Sequence, residues 1–247
     1  MRPVQYRAHL PTRGVSVPEP GERDVEPWTD DELEILRKAA DRLDGELRTD
    51  GRPGPETTLG SYRLLFELAI TTGRRVAELG AIEWRGFNKD DRTVRIRAQV
   101  PPDGYGLTTL QPLKGRRNRT ALVLPSWWNF HRDDARGRVI LTDGVSTVAH
   151  RSLERWCRQI IEASGLKRHG QNAHTFRHTY ARICLEKGAR LEELQRFLGH
   201  ASIRTTEQSY GWLTEQSAAT LARARIYGEG LRVVRGGKRH EKRHKAS

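Results

Sequence analysis

His174–Tyr210 reads HTFRHTYARICLEKGARLEELQRFLGHASIRTTEQSY, with polar, reactive side chains at both ends and helical patterning between them. His174 and Arg177 are three residues apart and share a face on a helix. Gly188 punctuates the run. Leu191, Leu194, Phe197 and Leu198 then recur at helical spacing, and Gly199 fits a helix terminus. His200 and Tyr210 follow. A helix pair that only builds core has no need of His, Arg, His and Tyr at its edges, so the stretch is read as an active site.

The rest of the chain is read outward from it. Upstream, residues 1–27 are rich in proline and charge without a period, an arm or linker rather than a domain. Thr29 and Glu32 form a capping-box pattern, and Leu33, Leu36, Ala40 and Leu43 share a face, so a helix starts near residue 30. Residues 45–58 read as a loop and 59–71 as a helix with Leu64, Leu65 and Leu68 buried. Gly73 breaks it, and Arg74–Leu79 begins a short helix. Thr93–Val100 alternates apolar and basic residues, as a half-exposed strand does. After the turn-rich 101–106 (PPDGYG), Thr108–Leu113 and Thr120–Leu124 flank Lys114-Gly115-Arg116-Arg117-Asn118-Arg119, which predicts a hairpin with a cationic tip. Helices are expected from Ser126, over 146–164 and over 214–225. The tail after Arg232 is basic and carries no apolar pattern beyond Val234. The sum is an α+β fold, mostly helical with one small antiparallel sheet. The tryptophans are read as packing residues.

At 247 residues the chain can bury a sizeable core. Lys plus Arg is 44 against 31 Asp plus Glu, a surplus of 13 with pI near 10.3, which favours a polyanionic partner, nucleic acid being the commonest. Two cysteines, Cys157 and Cys184, sit in apolar helical patterns and make no disulfide framework. No apolar run approaches a membrane span and no secretory core opens the chain, so a cytoplasmic location is expected.

Arg75, Lys114, His174, Arg177, His200 and Tyr210 carry the chemistry. Two guanidiniums can grip a phosphate through planar, charge-assisted hydrogen bonds and keep their charge at any working pH. Phosphoryl transfer needs such groups because charge builds on the non-bridging oxygens. A tyrosine hydroxyl can attack phosphorus covalently, but its pKa near 10 calls for neighbouring cations or a base. His174 and His178 at i, i+4 resemble a zinc pair only superficially, since the Glu of HExxH and a third ligand are missing, and no metal is expected.

Composition does not show that these six converge. TTGRRVAEL (71–79) resembles the first arginine box, T-G-x-R-x-x-E-L, of the tyrosine recombinase and phage integrase family. HTFRHTYA resembles its H-x-x-R-H box, and FLGHASIRTTEQSY its L-G-H-x-S-I-x-T-T-x-x-x-Y box. PLKGRRNRTALVLP is similar to the hairpin that carries the family's catalytic lysine. The likeness covers about residues 28–228 and implies a DNA breaking-rejoining catalytic domain, flanked by the arm 1–27 and a basic tail, 229–247. It implies that Tyr210 attacks a DNA phosphate to give a 3′-phosphotyrosyl link and a free 5′-hydroxyl. Arg75 and Arg177 would neutralise the phosphate, Lys114 protonate the leaving oxygen, His174 take the phenolic proton and His200 hydrogen-bond the phosphate. Glu78 would orient Arg75, and His178 would be structural or supporting. Neither ATP nor any other cofactor is implied.

The expected function is site-specific recombination of double-stranded DNA, by integration, excision or inversion. The alternatives are a type IB-like topoisomerase and a non-catalytic DNA-binding regulator on the same scaffold. Members of the family commonly carry an N-terminal DNA-clamping domain, which 27 proline-rich residues cannot form, so dependence on a partner or accessory protein is expected. A homotetrameric synapse is also expected, with the helix over 214–225 (Ala218, Leu221 and Ala222 on one face) packing on a neighbouring subunit.

Overall fold

The structure, a computed structural model, describes residues 26–49, 61–102, 109–113, 118–140, 148–166 and 170–227. Residues 1–25 of the arm 1–27, most of the predicted loop after residue 45, the 103–108 segment, Lys114, residue 228 and the tail 229–247 lie outside the described residues.

The expected capping box is formed. The backbone N–H of Thr29 donates to Glu32 Oε2 at 2.8 Å, and that of Glu32 donates to Thr29 Oγ1 at 3.3 Å. Helix α1 (Asp30–Thr49) follows and runs past Gly45, where a loop was expected. Its apolar face, Leu33, Leu36 and Ala40, is buried against α2 (Ser61–Thr72) and α4 (His150–Ser164). Glu67 of α2 is fully buried, yet Arg37 and Arg63 reach its Oε1 at 2.7 and 3.0 Å. A buried carboxylate needs such partners, and these tie α1 to α2. Trp28 packs into the same core and donates its backbone N–H to Thr179 Oγ1 at 3.0 Å, which fixes the start of the fold to the helix bearing Arg177.

After the short α3 (Val76–Leu79) come β1 (Phe87–Asn88), β2 (Thr93–Ile96), β3 (Ala98–Gln99), β4 (Gln111–Pro112) and β5 (Arg119–Leu122). All pairings are antiparallel, in a sheet ordered β1-β2-β5 and a two-stranded β3-β4 ladder. The expected hairpin is corrected here. Among the described residues, β4 and β5 do not pair with each other. Ile96 faces Arg119 and Ala98 faces Pro112, so β5 pairs with β2 and β4 with β3. Residues 114–117, between β4 and β5 in the sequence, lie outside the described residues. The stretch read as one strand, 93–100, is interrupted at Arg97.

Pro125–Asn129 is a 3-10 turn rather than an α-helix, with Trp127 stacked at 5.0 Å on Phe87. Helices α5 (Ala173–Glu186), α6 (Leu191–Leu198) and α7 (Ile203–Tyr227) then pack together around Tyr180, Leu194, Leu198 and Tyr210. A second correction falls on α7. The helix expected over 214–225 is the continuation of one that begins at Ile203, so Tyr210 lies inside a helix rather than before one. The side chains of Leu221 and Ala222 are outside the described residues. Trp28, Trp84 and Trp127 are buried and Trp128 and Trp156 pack against the core, as packing residues should, whereas Trp212 is exposed. Both cysteines are buried and free, and burial pushes each thiol up to about 12, so they are inert hydrophobes.

Candidate active site

Gly73 is the pivot of the site. It sits at φ +62, and a Cβ there would strike the ring of Tyr180. The turn it permits ends α2 and starts α3 with Arg75 at the N-terminal boundary and Glu78 one turn on. Its own carbonyl accepts from Arg177 Nη1 at 2.8 Å. One glycine thus links two arginines that lie far apart in the sequence.

Arg177 is 4% exposed, and its Nη2 donates to the Leu198 carbonyl at 2.9 Å. Arg75 is half-exposed, with Nη1 3.4 Å from Glu78 Oε1. Arg119 Nη2 lies 2.5 Å from the same oxygen, and Arg74 Nη1 is 3.9 Å from Glu78 Oε2. Burial alone would raise the Glu78 pKa. The surrounding Arg74, Arg119, Arg177 and Arg75 overcome this and hold the carboxyl below its ordinary value. Burial, then repulsion from Arg74, brings Arg177 down to about 9. Four guanidiniums therefore face one buried carboxylate. The set carries excess positive charge in a place where charge is costly, which is the electrostatic condition for receiving an anion.

Tyr210 is 1% exposed, packs in the apolar cluster of Tyr180, Leu194 and Leu198, and interacts with Arg177 and Arg75 of its own chain. Burial raises its pKa, while Arg177, by charge and by hydrogen bonding, and Arg75 act to lower it. Among the described residues the rings packed on Tyr210 are those of His178, at 5.3 Å, and His200, stacked nearly parallel at 6.2 Å. His200 is aimed by Nδ1, 2.9 Å from Oγ1 of the buried Thr206. Burial, reinforced by Arg177 and Arg75, lowers His200 to about 4; burial and His174 lower His178 to about 4. Both imidazoles are neutral at pH 7. His174 stands in the first turn of α5, its backbone N–H capped by Asn172 Oδ1 at 2.8 Å. Its pKa is lowered by burial and by Arg177 and Arg75, so it shares their field.

Of the six residues singled out from sequence, Arg75, His174, Arg177, His200 and Tyr210 fall in one neighbourhood, and Lys114 is outside the described residues. Sequence reasoning missed Arg74 and Arg119 and placed His178 in a supporting role, although its ring is the nearer of the two against Tyr210. Arg119 was legible only by alternation. Ala121 and Val123 point into the core, so Arg119 on the same face does too. Among the described residues no group of His, Cys, Asp and Glu is arranged to hold a metal, and no helix is long and apolar enough to cross a membrane.

The phage integrase family model matches residues 54–216, and the chain belongs to that family. The tyrosine recombinase XerC of Chlamydia pneumoniae is 28% identical over 150 residues, covering 58% of this chain and 45% of the relative. Across the curated relatives it matches, the chain spans about half their length. The fold is that of tyrosine recombinase catalytic domains. The Tn1549 transposon integrase in complex with transposon right end DNA aligns with a TM-score of 0.58 at 16% identity, over 82% of this chain and 66% of that one. The catalytic domain of bacteriophage HP1 integrase aligns with a TM-score of 0.51 at 17% identity, over 81% of this chain and 94% of that one.

Proposed function

We propose that this chain cleaves and rejoins double-stranded DNA at specific sites through a covalent 3′-phosphotyrosyl intermediate on Tyr210. The observation that carries the reading is the buried tyrosine held in cis beside a cluster of four arginines around one carboxylate. A phosphodiester entering there is drawn to Arg177 and Arg75 and supplies the anion the cluster lacks. Tyr210 Oη bonds to phosphorus as the P–O5′ bond breaks. The phenolic proton leaves to an imidazole; His174 has that role by resemblance, and His178 is the alternative acceptor by proximity. Neutral His200 donates a hydrogen bond through the ring nitrogen not engaged by Thr206. Lys114 delivers a proton to O5′. Bond energy is retained in the phosphotyrosine, and reversal by another 5′-hydroxyl completes strand exchange.

The relatives named tyrosine recombinases, and the DNA bound in the Tn1549 integrase complex, favour duplex DNA as substrate. We take residues 28–228 as the catalytic unit. An assembly of four copies on DNA follows from the same reading. In it α7 runs unbroken from the nucleophile to Tyr227, about 25 Å, so a neighbour docking its far end would bear directly on Tyr210.

The test is covalent capture from a pool of nicked duplexes with randomised cores. Wild-type protein should yield a detergent-resistant adduct that maps to Tyr210 and leaves a free 5′-hydroxyl, and Tyr210→Phe should yield none. An adduct with Tyr210→Phe, or none with wild type across the pool, ends this reading.

A further inference from the structure

Three consecutive carbonyls at the C-terminus of α6 are each taken by a different arginine. Phe197 accepts from Arg74 Nη2, Leu198 from Arg177 Nη2 at 2.9 Å and Gly199 from Arg119 Nη1 at 2.9 Å. A helix leaves its last carbonyls without intrahelical partners and carries partial negative charge there, so guanidiniums suit this end well. Arg74 and Arg177 belong to motifs already described. Arg119 lies in the stretch that resembles the lysine hairpin but was given no role there, and it makes the most far-reaching connection.

One of its nitrogens holds Glu78 Oε1, the oxygen that Arg75 also approaches, and the other holds the carbonyl of the residue just before His200. Its backbone is paired with Ile96 at the start of β5, five residues after Lys114 in the sequence. Gly199 shows how closely the contact is fitted. The residue is at φ +69, and a Cβ there would collide with the Arg119 guanidinium.

We infer that Arg119 is a positioning residue for strand cleavage, setting Arg75 through Glu78 and His200 through the Gly199 carbonyl from the strand that follows Lys114 in the sequence. The inference rests on the recombinase reading proposed above. The planar fork of arginine reaches two acceptors in fixed directions, and an ammonium on a flexible stem satisfies them less well. Losing the fork frees the α6–α7 corner, exposes His200 to water and lets the phosphate ligands drift. A misplacement near 1 Å in a phosphoryl-transfer site costs on the order of a hundredfold in rate.

The experiment compares full-length wild type, Arg119→Ala and Arg119→Lys on the duplex that wild type captures covalently. Adduct formation is timed at saturating protein, duplex affinity is measured separately, and the His200 imidazole is titrated by NMR without DNA. Adduct formation should slow about a hundredfold in Arg119→Ala and less in Arg119→Lys, with affinity changed by less than about threefold. The His200 pKa should rise from about 4 toward its ordinary 6.5 in Arg119→Ala. A wild-type cleavage rate in Arg119→Ala overturns the inference. So does a rate loss matched by an equal loss of affinity with His200 unshifted, which would mark Arg119 as a DNA contact or a packing group. Should Arg119→Ala fail to fold, Arg119→Lys is measured in the same way, and the same results support or overturn the inference. If wild type captures no duplex, the recombinase reading falls and the DNA-free titration decides alone. An unshifted His200 then removes Arg119 from the positioning role as well.

Discussion

Gly73 concentrates more of this protein's design than any residue with a reactive side chain. Its positive φ and the Tyr180 ring against its Cα leave no room for a side chain, and its carbonyl anchors Arg177. Gly73→Ala should therefore destabilise the fold by roughly 2–4 kcal/mol, combining backbone strain with overpacking. In thermal melts this is a drop of about 5–15 °C. A variant that melts with the wild type would mean the turn relaxes without resistance and that the geometry around Arg177 is softer than described. The glycine and its turn were readable in the sequence as a helix break. Its role as an acceptor for a distant arginine was not, because nothing local encodes that contact.

At the scale of elements, α5, α6 and α7 enclose two imidazoles that the packing keeps neutral. His178 faces His174, Arg177 and Tyr210. His200 faces Arg177, Arg75, Arg74, His178, Thr206 and Tyr210. Their folded pKa values, about 4, lie below the ordinary 6.5, so the unfolded chain binds more protons between those limits. Stability from this source is complete above pH 6.5 and is lost as pH falls toward 4. Glu78, lowered from 4.5, adds its own loss only below that value. The melting temperature should thus fall between pH 6.5 and 4.5, and His178→Gln with His200→Gln should flatten that limb. The residual slope comes from His131 and His174, whose pKa values are also lowered. An equally steep limb in the double variant would show that these rings are not held neutral. The periodicity of α5 and α6 was plain from the sequence, but the continuity of α7 was not. The sequence reading placed a helix only over 214–225; Gly211 and the polar run before it are weak helix formers, and packing on α5 and α6 overrides that propensity.

For the molecule as a whole, the surplus of 13 positive charges makes electrostatics the first term in any encounter with DNA. Part of that charge is spent internally, since Arg37, Arg63, Arg74 and Arg119 are committed to buried carboxylates or helix ends. The remainder predicts steep salt dependence. Duplex affinity should fall about a thousandfold between 50 and 200 mM salt if roughly six phosphates are neutralised. Fluorescence anisotropy over a salt series measures the slope, and a nearly flat line would rule out phosphate contacts as the main source of affinity.

The sequence by itself determined the motifs, their order, the helical periods and the family, because each is written in local spacing that survives without a fold. It therefore carried the proposed nucleophile Tyr210, the arginines Arg75 and Arg177, and the histidines of the boxes. Only the tertiary structure decided that Tyr210 lies in cis beside Arg177 and that Arg119 turns inward to join Glu78 and Gly199. It also decided that β4 and β5, on either side of Lys114 in the sequence, pair with β3 and β2 rather than with each other. Those facts depend on which distant carbonyls and carboxylates need a buried partner, and that need arises only once the helices have closed around them.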